Sequence, residues 1–112
     1  MNESILDNIK KLLGIDPTYH VFDQDLIIHI NSVFMILNQL GVGPEDGYKI
    51  TSSDNTWSEF TSDELSFESV KSYIYLKVRL MFDPPQNSAH AQSIQSQINE
   101  FEWRLNVAAE NI

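Results

Sequence analysis

The chain has 112 residues, which is enough for a single domain over positions 1–112 and too short for two. It carries 16 acidic and 7 basic residues, a net charge of -9, which argues against a protein that binds nucleic acid through its phosphates. The absence of cysteine excludes disulfide bonds and thiolate metal sites.

The sequence lacks a segment typical of membrane targeting or insertion. Residues 1–14 combine early acidic residues with interrupted apolar residues, and no small-residue cleavage site follows them, unlike in a signal peptide. No run reaches the ~18 apolar residues that a membrane span needs. We therefore expect a soluble, intracellular protein with no membrane partner.

The first predicted helix covers residues 3–13, where apolar residues recur at helical spacing. Ser4 and Asp7 resemble a capping box in which Asp replaces the usual Glu. Gly14 is suited to the C-terminal cap, because glycine adopts the left-handed conformation at low cost. These signals predict a short amphipathic helix followed by a turn.

A second helix is predicted to begin at Asp23, as its N-cap, and to end near Leu40. Its main apolar stripe consists of Leu26, Ile30, Val33, Leu37 and Leu40. Ile28 and Met35 lie nearly opposite this stripe on a helical wheel. The helix therefore has apolar residues on two faces.

Residues 41–65 form a long polar connection, and connections of this length are usually functional or mobile. We interpret GYKITSSDNTW as a possible short β-hairpin and WSEFTSDEL as one helical turn. Trp57 and Phe60 either anchor a partner or form a small cluster that holds the connection down. Between residues 42 and 70, Lys49 is the one cation among seven carboxylates. These carboxylates are Glu45, Asp46, Asp54, Glu59, Asp63, Glu64 and Glu68.

The third predicted helix covers residues 66–82 and is apolar nearly all round, which is typical of a buried helix. Lys77 falls in its apolar sector, so we expect it to snorkel or to pair with a carboxylate. After Asp83, Pro84 and Pro85 end the helix, because proline lacks an N–H donor and disfavours helical geometry in the preceding residue. This stop permits a sharp reversal of the chain.

The fourth predicted helix begins at Asn87 or Ser88 and ends near Glu110. Its apolar stripe consists of Ala91, Ile94, Ile98, Phe101, Leu105, Ala108 and Ile112. Trp103 and Val107 lie on the opposite side, and the helix is expected to pack antiparallel to the third. The sequence thus predicts an all-α fold, a small bundle of about four helices with a long polar loop between helices two and three.

Four apolar residues remain on the backs of predicted helices, namely Ile28 with Met35 and Trp103 with Val107. Either the first helix or the polar loop covers these residues, or a second subunit does. Contiguous apolar patches that stay exposed on a monomer usually mark an interaction site. Trp and Met are also enriched at the cores of interfaces. Together with Trp57, these four residues are the candidate subunit or partner interface.

The sequence contains no recognisable pattern for catalysis or metal binding. His20, His29 and His90 are far apart and lack the spacing of metal ligands. No glycine-rich phosphate loop and no G-x-S-x-G motif occurs. We therefore expect a protein that is not an enzyme and that has no catalytic residue, cofactor or metal site.

Two segments, VKSYIYLKVRLMFDPPQNS and QINEFEWRLNVAAE, resemble the small head–tail connector proteins of tailed phages and prophages. These are also called head-completion or DNA-packaging adaptor proteins. They often have a Tyr- and Val-rich helix that ends in Phe-Asp-Pro-Pro and a last helix that carries Glu-Trp-Arg-Leu-Asn. The matching positions are Tyr75, Lys77, Phe82, Asp83, Pro84 and Pro85, followed by Glu102, Trp103, Arg104, Leu105 and Asn106.

This resemblance implies a structural subunit that assembles with copies of itself into a ring beneath the portal protein. The ring would extend the DNA channel, through which DNA passes without specific binding, and would offer a platform to neck or tail completion proteins. The protein would then lie in the neck of the virion, or in the host cytoplasm during assembly. An acidic surface and a polar loop that orders on docking suit this role.

The acidic charge also supports an alternative, a small adaptor or DNA mimic that binds a basic partner surface. A mimic needs carboxylates in regular rows on a rigid face, whereas the carboxylates clustered between residues 42 and 70 lie largely in a predicted loop. A third possibility, an enzyme or ligand-binding domain, requires a deep pocket with convergent polar groups. The sequence gives no sign of such a pocket.

Overall fold

A computed structural model of the protein describes residues 1–110. The helices are α1 (Ile5–Leu12), α2 (Asp23–Gln39), α3 (Trp57–Phe60), α4 (Glu64–Phe82) and α5 (Ser88–Glu110). Within residues 1–110 there is no strand, so the predicted all-α fold is confirmed. The additional helix α3 is the single turn predicted in the polar connection. Ile112, which was assigned to the stripe of the last helix, lies outside the described residues.

The predicted caps hold both ends of α1. The Ser4 hydroxyl accepts a hydrogen bond from the backbone N–H of Asp7 at 3.2 Å. At the other end Gly14 has a φ of 81°, which a residue with a Cβ rarely adopts. The N–H of Ile15 then bonds to the carbonyl of Lys10 at 2.8 Å, which completes a Schellman motif.

The start of α2 differs from the prediction. Phe22, and not Asp23, is the N-cap residue, and no side chain caps this end. The Asp23 carboxylate instead accepts a hydrogen bond from Lys10 Nζ at 2.7 Å. The Asp23 carboxylate, which would otherwise cap the helix, is therefore paired with the buried ammonium of Lys10.

Lys10 is fully buried, which is rare for a charged side chain. Its ammonium donates to the carbonyls of Pro17 at 3.0 Å and Tyr19 at 2.7 Å, as well as to Asp23. All three of its N–H donors are therefore satisfied. Partial burial opposes ionisation of Asp23, but hydrogen bonds from Lys10 and His20 outweigh it and lower the pKa of this carboxyl. The cluster fixes the α1–α2 turn to both helices.

The stretch read as a hairpin does not fold back on itself. Its bridge is to the N-terminus, where Thr56 pairs with Ser4 in antiparallel fashion. Ile50 is buried, and the Asn31 side chain of α2 donates to its carbonyl at 2.9 Å and accepts from its N–H at 2.8 Å. The amide of Asn31 thus takes the place of a partner strand. The hairpin interpretation was wrong for this reason.

Helix α4 is the central element and packs against α1, α2 and α5. Its buried residues are Phe67, Val70, Tyr73, Ile74, Leu76 and Val78. It begins two residues earlier than predicted, because Asp63 caps it by accepting from the N–H of Leu65 at 3.1 Å. Lys77 pairs with Glu102 of α5 at 3.9 Å, as expected for a cation in an apolar sector.

The double proline reverses the chain between α4 and α5. Asp83 closes α4, and α5 begins at Ser88 after Pro84 and Pro85. The two helices run antiparallel, since residues 63 and 66 at the start of α4 border the same surface cavity as residues 105 and 108 near the end of α5. The predicted helical pair is therefore present.

Candidate interaction surfaces

Three of the predicted interface residues lie exposed on the outer faces of helices. The exposed fraction is 62% for Ile28, 65% for Met35 and 67% for Trp103, while Val107 is half-buried. The buried side chains of α2 and α5 lie on the opposite faces, which point to the core. The chain itself therefore leaves these apolar side chains in contact with solvent.

Part of the segment from Glu102 to Asn106 points inward and joins α5 to the bundle. Glu102 accepts a hydrogen bond from the Tyr73 hydroxyl at 2.6 Å, and burial together with this bond raises the pKa of the tyrosine. Leu105 belongs to the core. The Asn106 side chain donates to the carbonyl of Leu40, at the end of α2, at 3.5 Å. Packing within the chain accounts for these three residues.

The other two residues of that segment point outward. Arg104 forms an ion pair with Glu100 at 2.6 Å, and both side chains are exposed. Trp103 lies beside them on the outer surface of α5, with Val107 one turn further along. We call Glu100, Trp103, Arg104 and Val107 the α5 face. Trp103 is mostly exposed, so packing within the bundle does not account for an indole at this position.

A groove of about 580 Å³ lies beside the outer surface of α2. Its walls are α2 on one side and residues 46–49 on the other. Met35 and the aromatic rings of Phe34 and Tyr48 line it, and the two rings pack edge to face with centroids 5.0 Å apart. Asp46 and Lys49 also line it. We call this feature the α2 groove.

Trp57 does not belong with the exposed residues. It is fully buried, its indole N–H donates to the Asn8 side chain at 3.2 Å, and its ring packs against Phe67. Phe60 is buried as well. The alternative reading, a cluster that holds the polar connection down, is therefore the right one for both residues. The acids around Trp57 in the sequence made it resemble a surface anchor.

The profile of a family described as phage connector protein matches residues 5–112 of the chain. The chain belongs to the phage connector protein family. This confirms the resemblance based on the C-terminal segments and extends it over all five helices. No curated protein and no solved structure shows a significant match. The connector is thus a structural phage protein, and its family implies contact with other head or tail proteins of the particle.

The seven carboxylates between residues 42 and 70 of the connector are all exposed. They are distributed over the loop before α3, α3 itself, and the N-cap and first turns of α4. Some also act within the chain, since Asp63 caps α4 and Glu59 accepts from Asn55 at 3.0 Å and Tyr48 at 2.8 Å. These bonds hold the pKa of Glu59 below its usual value. This distribution does not form the single rigid row that a DNA mimic needs.

The part of the connector that the structure describes shows neither a metal-binding cluster nor a membrane-spanning helix. No group of three or more His, Cys, Asp or Glu side chains in residues 1–110 is placed to hold a metal ion. Over the same residues, no helix is long and apolar enough to cross a membrane. His20 is bonded to Asp23 at 2.9 Å, and the ring of His29 lies against Phe82.

Proposed function

We propose that this connector assembles with copies of itself into a ring beneath the portal protein, extends the DNA channel and joins the phage head to its tail. The observation that supports this most is the exposure of Ile28, Met35 and Trp103 in a chain that belongs to the connector family. Such apolar surface is stabilised when neighbouring copies cover it. On this proposal the protein lies in the neck of the virion.

The position of these residues favours a ring over a two-fold dimer. Helices α2 and α5 both pack against α4, and each turns its exposed residues away from it. Two different surfaces are therefore available on each copy. A contact between unlike surfaces is head-to-tail, and it closes into a ring when the rotation per copy permits.

The charge of the chain suits a conduit for DNA. With a net charge of -9, the protein offers few cations to hold phosphates, so DNA passes through the ring without specific binding. The portal protein on one side and neck or tail completion proteins on the other are the proposed partners. We propose no catalytic step for the chain.

Co-purification with a portal ring tests this proposal most directly. We expect the connector to bind portal rings and to form closed oligomers in native mass spectrometry over a concentration series. Trp103→Glu should abolish the oligomers, whereas the control Val21→Glu, at an exposed apolar residue in the α1–α2 turn, should leave them intact. A protein that stays monomeric at every concentration and does not bind the portal contradicts the proposal.

The exposed carboxylates support one alternative, a small acidic adaptor or DNA mimic that binds a basic protein surface. Its affinity for a basic nuclease or repressor would fall steeply with salt, because exposed charges are screened over about 10 Å at 0.1 M ionic strength. Strong salt-dependent binding to such a protein, without binding to the portal, would favour the alternative.

A further inference from the structure

We infer that Trp103 of one copy inserts into the α2 groove of the next copy, and that this is the repeating contact of the ring. The inference rests on the proposed function, because it assumes that copies of the chain associate. Beyond the proposed ring, the inference specifies the side chain that is inserted, the groove that binds it and the charged residues that orient the two copies.

The size and chemistry of the two surfaces match. A tryptophan side chain buries roughly 150–250 Å² at an interface. The α2 groove is an open depression of about 580 Å³, which a bulky side chain can enter. Tyr48, which is partly exposed, offers aromatic surface to the indole, and the fully buried Phe34 supports its ring from the core side. Met35 lies on the groove wall and is mostly exposed, and methionine adapts its shape to an aromatic ring.

The charges around the two surfaces are complementary. Glu100 and Arg104, one of each sign, lie together on one side of Trp103 on the surface of α5. Asp46 and Lys49 lie at the groove, also one of each sign. When Arg104 faces Asp46, Glu100 can face Lys49, so that two opposite-charge pairs border one side of the inserted ring. Such complementarity sets the orientation of two surfaces more than it adds affinity.

The apolar residues that remain extend the same contact. Ile28 is two helical turns before Met35 on the outer surface of α2, about 10 Å away along the axis. Val107 is one turn after Trp103 on α5. Each surface therefore carries a second apolar side chain beside the proposed contact, Ile28 on α2 and Val107 on α5. The contact explains why both helices carry apolar side chains on their backs.

Thiol cross-linking tests the contact directly, because the native chain contains no cysteine. Asn38→Cys places a thiol at the groove, and Asn99→Cys places one on α5 one turn before Trp103. A mixture of the two single variants should give cross-linked dimers with a short bis-maleimide, and a chain that carries both should give a ladder. The control combines Asn99→Cys with Ser53→Cys, which is exposed in the loop before α3.

A ladder from the groove pair and not from the control pair supports the inference. No ladder at millimolar protein, or an equal ladder from the control, overturns it. Charge exchange gives a second measurement. Arg104→Glu should weaken association about tenfold, and adding Asp46→Arg on the same chain should restore it.

The two proposals fail in distinguishable ways. Oligomers that bind the portal but show neither the groove ladder nor rescue by Asp46→Arg would overturn the inferred contact and leave the proposed ring intact. Monomers that do not bind the portal would overturn both. Circular dichroism of each variant should be unchanged, since Arg104 and Asp46 are exposed.

Discussion

The turn between α1 and α2 and the outer face of α5 depart from the usual distribution of side chains in opposite ways. In the turn, the charged side chain of Lys10 is fully buried and each of its N–H donors is bound. On α5, the large apolar side chain of Trp103 is mostly exposed. Contacts within the chain explain the lysine and do not explain the tryptophan. The difference separates residues that the fold requires from residues that a second molecule can use.

The largest expected effect comes from replacing each of the two tryptophans by alanine in a separate variant. Trp57→Ala should lower the free energy of unfolding by about 4 kcal/mol, because it leaves a large cavity in the core. Trp103→Ala should change it by less than about 0.5 kcal/mol, since the side chain is exposed. Urea unfolding of the monomer followed by circular dichroism measures both. Similar losses would show that Trp103 belongs to the core after all.

A second test removes the buried cation. Lys10→Met should lower the free energy of unfolding by about 3 kcal/mol, because the carbonyls of Pro17 and Tyr19 and the Asp23 carboxylate lose a donor. Lys11→Met is the matched control, at the exposed neighbouring lysine, and should be close to neutral. Equal effects of the two variants in urea unfolding would mean that the buried cluster adds no stability.

A smaller effect is expected at the contact that holds the α5 face in place. Tyr73→Phe removes the hydrogen bond to Glu102 and should lower the free energy of unfolding by about 1 kcal/mol. Tyr19→Phe, which removes the hydroxyl of a half-exposed tyrosine, serves as the control and should have no measurable effect. A neutral Tyr73→Phe variant would show that this hydrogen bond adds no net stability.

The smallest effect is expected on acidification. The pKa of Asp23 is lowered from 3.8, so its carboxylate stabilises the fold above that pH, and this contribution is lost as the pH falls below it. Asp23→Asn lacks the contribution. The difference in unfolding free energy between wild type and this variant should be constant above about pH 5 and should shrink below about pH 4. Urea unfolding between about pH 7 and pH 3 measures it, and a constant difference would contradict the assignment.

The helices were predictable because their signals are local. Ser4, Gly14 and the double proline each specify a helix end through the backbone of their near neighbours. Apolar periodicity then identified the buried faces, and it also identified Ile28, Met35 and Trp103 as residues left outside. Patterns with a period close to one helical turn carry this information within a single segment.

The features that were missed depend on contacts between distant segments. Asn31 binds Ile50 across 19 positions, and no local pattern marks an asparagine that replaces a strand. Lys10 meets its partners only when α1 and α2 pack, so its burial and the role of Asp23 could not be read from spacing. The groove beside Met35 likewise needs the loop at residues 46–49, most of which the sequence pattern assigned to a hairpin.

The two hydrogen bonds between the Asn31 side chain and the backbone of Ile50 hold the loop beside the α2 groove in place. They fix the backbone immediately after Tyr48 and Lys49, so one wall of the groove is preorganised by the opposite wall. A neighbour that enters the groove does not have to order this loop, which spares the association much of the conformational entropy that loop ordering costs. On the inferred contact, the α2 groove of each copy would thus have its binding conformation before the copies associate.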